Sequence, residues 1–169
     1  MKTSSIIYKG DIRTEAKHNK SGQLIYTDGP TDNFGKGEAF SPTDLVANAL
    51  GSCMISIMAI KSKDLNVDLV GSTIEITKVM QAEPRKIAKI IVVLNIPITV
   101  DEKTKVILER VAMNCPVLLS LNADIEKDVT FHWKKYIKNR PLRCKSQDRF
   151  AARLSCFFQR SGLVSFLPT

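Results

Sequence analysis

The sequence predicts an α+β domain in residues 1–136, followed by a basic C-terminal extension in residues 137–169. Several segments alternate apolar and polar residues, as half-buried strands do, and two others carry apolar residues at helical spacing. In chain order the segments give β-β-α-β-β-α-β, an α+β arrangement with few short crossovers. The length of 169 residues suits one domain with its own hydrophobic core.

The predicted strands are short segments rich in β-branched and aromatic residues. A polar hairpin with its tip at residues 19–22 joins the first two strands. A turn at Pro84 and Arg85 separates the third strand from the fourth, and Pro97 ends the fourth. The strands are predicted at residues 5–8, 23–27, 73–79, 87–96 and 129–133.

The first predicted helix begins at Pro42, with Ser41 as its N-cap and Asp44 in its first turn. Apolar residues cover almost all of its faces, so we expect this helix to be central and buried. Its uncharged run, residues 45–60, is sixteen residues long. A membrane span needs about 20 residues, so the run favours a core helix and no membrane association.

The second predicted helix begins near a possible capping box, with Thr99 as the cap and Glu102 three residues later. Its apolar stripe runs from Leu108 to Cys115, where Pro116 interrupts it. The sequence therefore places Cys53 on one apolar helix and Cys115 at the end of another.

The basic charge of the chain is concentrated in its extension. The net charge is +8, and residues 137–169 hold seven Lys or Arg residues and one acidic residue. A basic tail attracts polyanions without reading a sequence, so we expect no specific nucleic-acid binding. We also expect the tail to contribute little to the core. The N-terminal residues lack the apolar segment of a signal peptide, which favours a soluble cytoplasmic protein.

The cysteine pattern suggests either small core residues or reactive thiols. Cys144 and Cys156 lie in the extension, and none of the four cysteines forms a CxxC pair. With only His18 and His132 as histidines, no zinc-site spacing is present. A peroxide-reducing pair needs one thiolate that becomes a sulfenic acid and a second thiol that condenses with it. It also needs a cation or helix N-terminus that lowers a thiol pKa.

Two segments resemble the OsmC/Ohr family of organic hydroperoxide resistance proteins. FSPTDLVANALGSC, ending at Cys53, is similar to the family segment that places the first cysteine on a central helix. ERVAMNCPV, containing Cys115, is similar to the second family signature. The resemblance covers residues 1 to about 135. It implies antiparallel sheets, a long buried central helix, a second Cys-bearing helix and an intertwined homodimer with sites at the subunit interface.

The same resemblance implies a thiol-dependent peroxidase for organic hydroperoxides. Cys53 would attack the peroxide, and Cys115 would resolve the sulfenic acid to a disulfide. An external dithiol would then reduce the disulfide; a small thiol, a lipoylated protein or a thioredoxin-like protein would serve. No metal or flavin cofactor is implied. Phe40, Met54 and Met113 are candidates for an apolar pocket around the organic part of the peroxide.

Two departures from the family concern the groups that activate the thiol. The family Glu lies ten residues before the first cysteine, where this chain has Thr43; Glu38 and Asp44 are the possible substitutes. The family Arg comes from the N-terminal hairpin. Arg13 is the predicted cation, with Lys20 as the alternative.

The departures leave a second function open. A non-catalytic redox-sensing or small-molecule-binding protein on the same fold would also carry these cysteines without the family Glu. A third interpretation, polyanion binding through the tail, rests on charge alone.

Overall fold

The structure is a computed structural model and describes residues 2–134. It contains two three-stranded sheets, a long helix between them in sequence, and two shorter helices before the last strand. The elements are β1 (Ser4–Gly10), β2 (Arg13–His18), β3 (Leu24–Thr27), α1 (Pro42–Asp64), β4 (Thr73–Gln81), β5 (Lys86–Ile96), α2 (Glu102–Ala112), α3 (Pro116–Ser120) and β6 (Glu126–Trp133). The expectations for Cys144, Cys156 and the extension lie outside the described residues.

The first sheet has three strands where the sequence predicted two. β1 and β3 both pair antiparallel with β2, and Ile6 lies opposite Ala16 while Ala16 lies opposite Ile25. The predicted hairpin joins β2 to β3, and a tighter turn at Asp11 and Ile12, both with positive φ, joins β1 to β2. β2 was missed because its residues, RTEAKH, are mostly charged and carry no apolar alternation.

The second sheet has the order β4-β5-β6. β4 and β5 form an antiparallel hairpin, as predicted, whereas β6 pairs with β5 in parallel. The predicted α+β fold is confirmed, and the second sheet is mixed at this edge instead of antiparallel. Two helices, α2 and α3, connect β5 to β6, and a crossover of that length returns the chain to the same end of the sheet.

Helix α1 begins as the sequence predicted. Ser41 Oγ accepts a hydrogen bond from the Asp44 N–H at 3.1 Å, and an Asp44 carboxylate oxygen accepts one from the Ser41 N–H at 2.8 Å. This reciprocal pair satisfies two main-chain donors of the first turn, and Pro42 occupies the first helical position.

One face of α1 packs against β4, β5 and α2. Ala47, Leu50, Met54 and Met58 are almost fully buried on this face. The helix approaches β4 closely at Gly51, where an added Cβ would lie 2.9 Å from Cγ2 of Ile74. A residue with a side chain would push the helix away from the sheet.

The opposite face of α1 is open among residues 2–134, so the predicted central helix is buried there on one face only. By length and composition this helix could cross a membrane, with a mean hydropathy of 1.5 over the best 18-residue window, and 28% of that window is buried. The open face consists of small or apolar residues at helical spacing: Val46, Ala49, Ser52, Ser56 and Ile60. They are exposed because no element within residues 2–134 covers them.

The segment around Cys115 differs from its predicted form. The N-cap of α2 is Asp101, whose side chain accepts a hydrogen bond from the Thr104 N–H, so the capping box at Thr99 was a wrong prediction. α2 ends at Ala112, and Cys115 is the N-cap of α3 with Pro116 at its first position. Pro116 therefore starts a new helix, as its fixed φ allows.

Candidate functional site

The fold brings the two predicted thiols together. Cys53 lies in the middle of α1 and is partly exposed, whereas Cys115 lies between α2 and α3 and has no exposed surface. Both are free cysteines. Their side chains interact across the contact between α1 and the α2–α3 segment, which joins groups 62 positions apart in the sequence.

Burial favours the protonated form of the Cys115 thiol. It raises the pKa of the Cys115 thiol. The Leu118 N–H donates to Cys115 Sγ at 3.4 Å and opposes that rise, while the neighbouring Cys53 thiol adds to it. The net direction of the Cys115 pKa is upward, so Cys115 is a poor thiolate source at neutral pH. Of the two, Cys53 is the one that solvent can reach.

A compact loop after β3, residues 28–40, carries the predicted acid Glu38. Main-chain hydrogen bonds close its base: the Asp28 N–H donates to the Phe40 carbonyl at 3.2 Å, and the Gly37 N–H donates to the Gly29 carbonyl at 3.1 Å. Gly29 and Gly35 touch so closely that a Cβ on Gly35 would overlap the Gly29 carbonyl oxygen. The glycines that the sequence shows in this loop are therefore required by its packing.

The predicted cation, Arg13, is paired with the predicted acid. Its Nη2 donates to Glu38 and also to Asp28 Oδ2, the latter at 3.3 Å. Both carboxylates raise the pKa of Arg13, the Glu38 hydrogen bond most strongly. Asp28 was not foreseen. Nothing in its sequence context distinguishes it from an ordinary acidic residue at the end of a strand.

Thr43, which stands at the position of the family Glu, faces a lysine. Lys78 Nζ donates to Thr43 Oγ1 at 2.7 Å and lies 2.7 Å from Asp44 Oδ1. Burial would raise the pKa of Asp44, but hydrogen bonds from Lys78 and Ser41 outweigh it, and the net shift is downward. Asp44 is thus occupied in capping α1, which leaves Glu38 as the acid beside Arg13.

Sequence reasoning also missed Lys78, although a signal for it existed. Alternation along β4 puts Lys78 on the same face as Ile74 and Ile76, the face toward α1. A lysine on an inward face needs an acidic partner, and Asp44 is that partner.

The remaining candidates do not join the site. Lys20 is exposed at the hairpin tip, and no ion pair or hydrogen bond of its side chain is present among residues 2–134. His18 hydrogen-bonds Ser21, and His132 is exposed on β6. Within the described part of the chain, no group of His, Cys, Asp and Glu could hold a metal ion.

An open cleft of about 610 Å³ lies between the loop, α1 and β4. Phe40, which is 59% exposed, lines it beside Ile74 and Ile76, with Glu38 and Lys78 as polar groups. Of the predicted pocket residues, only Phe40 is there. Met54 is buried in the core, and Met113 is exposed elsewhere.

The thiols and the charged pair are separate within one chain. Among the described residues, no hydrogen bond or ion pair joins Arg13 or Glu38 to Cys53. Cys53 lies twelve residues after the N-cap Ser41, which is about 18 Å along a helix at roughly 1.5 Å per residue. One chain thus supplies the parts of a thiol site without assembling all of them.

Comparisons with known proteins identify the family and the fold of the chain. A protein-family model described as OsmC-like protein matches residues 35–130. The sequence finds no match among curated proteins. A crystal structure from Psychrobacter arcticus 273-4, named for osmotic stress induction and a detoxification response, shares 46% identity over 78% of this chain and 96% of that one, with a TM-score of 0.76.

Two more distant structures share the fold. An organic hydroperoxide resistance protein OsmC from Legionella pneumophila has 18% identity over 78% of this chain and 98% of its own, with a TM-score of 0.59. An organic hydroperoxide resistance protein from Elizabethkingia anophelis, with thiocyanate bound, has 16% identity over 79% and 98%, with a TM-score of 0.62.

The raised pKa of Cys115 predicts a distinctive alkylation profile. In reduced protein treated with iodoacetamide, labelling of Cys115 should reach half of its maximal rate at a pH above the ordinary thiol value of about 8.5. The midpoint is the readout because restricted access of the reagent lowers the labelling rate at every pH without moving the midpoint. Peptide mass spectrometry follows each cysteine separately, and a Cys115 midpoint below the ordinary value would contradict the assignment.

Proposed function

The chain belongs to the OsmC-like protein family, and on that premise we propose that it is a cysteine-based peroxidase for organic hydroperoxides. The observation that carries the proposal is the pairing of a partly exposed Cys53 with a fully buried Cys115 in one contact. Solved structures with this fold include proteins named for organic hydroperoxide resistance. The activity would serve an antioxidant role in the oxidative stress response.

The proposed cycle uses both thiols and balances without a metal or flavin. The Cys53 thiolate attacks the terminal oxygen of the hydroperoxide; an S–O bond forms, the O–O bond breaks, and the alkoxide leaves as an alcohol after taking a proton. Cys53 is now a sulfenic acid. Cys115 sulfur then attacks Cys53 sulfur, the S–S bond forms, the S–O bond breaks, and water leaves with the Cys115 proton.

The cycle closes when an external dithiol reduces the disulfide. Two thiols of the reductant are oxidised to their own disulfide as Cys53 and Cys115 regain their protons. A small dithiol, a lipoylated protein or a thioredoxin-like protein has the required chemistry. The reducing cytoplasm is the compartment in which such a reductant and free thiols coexist.

The assignment of roles follows from exposure and protonation. A hydroperoxide must reach the attacking sulfur, and Cys53 is the one with accessible surface. The resolving thiol needs only to meet the sulfenic acid, and its raised pKa keeps it protonated until then. Resolution removes the sulfenic acid before a second peroxide oxidises it further.

Arg13 and Glu38 are the proposed activating pair. A guanidinium near the Cys53 sulfur would stabilise the thiolate, and Glu38 would orient that guanidinium by its hydrogen bond. Because the pair does not reach Cys53 in its own chain, we infer that Arg13 of the partner subunit completes each site in a homodimer.

Two apolar faces that residues 2–134 leave uncovered support the homodimer. One face of the first sheet exposes Ile6, Tyr8 and Ile25, which are 66%, 67% and 47% exposed. The open face of α1 runs from Val46 to Ile60 and includes the small side chains that allow helices to approach closely. Monomers seldom leave such surfaces in water. A two-fold dimer would cover the same surfaces in both copies.

The first prediction for this function separates the roles of the cysteines. Cys53→Ser should abolish turnover of an organic hydroperoxide such as cumene hydroperoxide in the presence of a dithiol, because no attacking thiol remains. Cys115→Ser should consume about one equivalent and then stall or become overoxidised, since attack survives and resolution does not. Peroxide consumption and intact mass together record both outcomes.

A Cys144→Ser/Cys156→Ser double variant is the matched control and should turn over like the unaltered protein. The reverse behaviour of the two site variants would exchange attacker and resolver. If the unaltered protein consumes only one equivalent with every dithiol, the peroxidase proposal fails and a redox-sensing role is favoured. The pairing of Arg13 with two carboxylates, and not with a thiol, is the observation that supports that second function.

The second prediction tests whether subunits share a site. Cys53→Ser and Arg13→Met variants should each be inactive or nearly so, and unfolding and refolding an equal mixture should restore turnover. Each mixed dimer would join the intact Cys53 of one subunit to the intact Arg13 of the other. Random pairing makes half of the dimers mixed, each with one whole site, so about a quarter of the normal activity is expected.

Mixing the two variants without unfolding is the control for subunit exchange. Activity no higher than that of the separate variants after refolding, with a dimer confirmed by sedimentation, would show that Arg13 acts within its own chain. A monomer in sedimentation would reject the dimer itself.

A further inference from the structure

Asp28 is a buried charge that the proposed cycle does not use. It directly follows β3, and its residue surface is only 1% exposed. A buried carboxylate is unfavourable unless charged or hydrogen-bonded groups compensate for the lost water. Asp28 therefore needs partners that stabilise its ionised carboxylate.

The partners of Asp28 lie in two separate segments. Its Oδ2 accepts a hydrogen bond from the Glu38 N–H at 2.9 Å and another from Arg13 Nη2 at 3.3 Å. The Glu38 N–H is the main cause that lowers the pKa of the Asp28 carboxyl; burial opposes it, and Arg13 adds to the lowering. One carboxylate oxygen thus joins the arginine on β2 to the main chain of the 28–40 loop.

The two carboxylates around Arg13 differ in how firmly they are held. The Glu38 side chain is 63% exposed, and Arg13 is its ion-pair partner among the described residues. The Asp28 side chain is 1% exposed and fixed by a main-chain donor. Exposed ion pairs exchange readily with water. Asp28 is therefore the fixed point, and Glu38 is the partner that can move.

Two unpartnered atoms show that Arg13 and Asp28 can form a closer pair. Arg13 Nε and Asp28 Oδ1 are both buried and lack a hydrogen-bond partner. One is a donor and the other an acceptor. A side-on arginine–carboxylate pair uses Nε and Nη2 with both oxygens. A small rotation of the guanidinium would satisfy both atoms and keep Arg13 bound to Asp28 when Glu38 is released.

We propose that Asp28 is a positioning residue that anchors Arg13 and the Glu38 main chain for peroxide reduction. The proposal rests on the proposed function. Asp28 does not touch the reacting atoms. Its hydrogen bond from Arg13 fixes the position from which Arg13 reaches the thiolate. Its hydrogen bond from the Glu38 N–H fixes the position of Glu38, the acid that orients Arg13. Arg13 can then exchange Glu38 for the thiolate without leaving its anchor.

The test is a double-mutant cycle on turnover. Asp28→Asn keeps an oxygen acceptor for the Glu38 N–H but removes the charge, and it should lower kcat/KM about tenfold, because small displacements of a catalytic group are costly. In the Arg13→Met background, where the slow remaining reaction is followed as the rate of Cys53–Cys115 disulfide formation with excess hydroperoxide, the same substitution should cause no further loss, since Asp28 acts through Arg13. Unchanged turnover in Asp28→Asn, or losses that multiply in the double variant, would overturn the proposal.

Glu15→Gln is the matched control. It also removes one carboxylate from the first sheet, but its ion-pair partner is Lys9, and it should leave turnover unchanged. A tenfold loss in Glu15→Gln as well would show that any charge change on this sheet lowers turnover, and it would count against a specific role of Asp28.

A measurement that needs no activity separates the two possible failures. In Asp28→Ala, the Glu38 amide should lose its protection from hydrogen exchange, whereas in Glu15→Gln it should keep it. Lost protection together with no turnover in the unaltered protein would reject the proposed function and leave Asp28 as the anchor of the loop. Unchanged protection would reject the anchor, whatever the turnover.

Discussion

The packing of one face of α1 against β4, β5 and α2 fixes the positions of the reactive groups. Leu50, Met54 and Met58 are fully buried in this contact, and burying such side chains stabilises a fold by roughly 1.5–3 kcal/mol each. The exposed pair Lys61–Asp64 on the same helix contributes at most about 1 kcal/mol. Apolar packing therefore decides how α1 lies, and with it where Cys53 meets Cys115.

Buried polar contacts then decide where the charged groups lie. Lys78 ties the first turn of α1 to β4 through Asp44 and Thr43. Asp28 ties β2 to the loop that carries Glu38. In both cases a charge with little exposed surface is matched by hydrogen bonds and by an oppositely charged side chain. The consequence is a defined place for Arg13 beside the 28–40 loop, whereas the packing of α1 sets the place of the thiol pair.

Much of the fold could be predicted because its signals are local. The Ser41–Asp44 cap, the start of α1 at Pro42 and the long strand β5 follow from residue type and spacing alone, and the structure confirms them. β2 could not be found in this way because its residues are nearly all polar and carry no apolar alternation. The parallel pairing of β6 depends on contacts between distant segments, which periodicity does not describe.

The candidate site was predictable to a similar degree. Cys53 and Cys115 stand in recognisable segments, and the predicted pair of Arg13 with Glu38 is present. Asp28 and Lys78 were missed because their roles arise from burial, which the fold creates. The open face of α1 shows a further limit: the sequence indicated a buried helix, but residues 2–134 cover only one face of it.

The central claim is that Cys53 and Cys115 form the working redox pair. The most direct measurement is peptide mapping after reduced protein is treated with one equivalent of an organic hydroperoxide under non-reducing conditions. The account predicts a disulfide between Cys53 and Cys115 within one subunit, with Cys144 and Cys156 still free. A free Cys115 beside an oxidised Cys53, or a disulfide from Cys53 to Cys144, would contradict it.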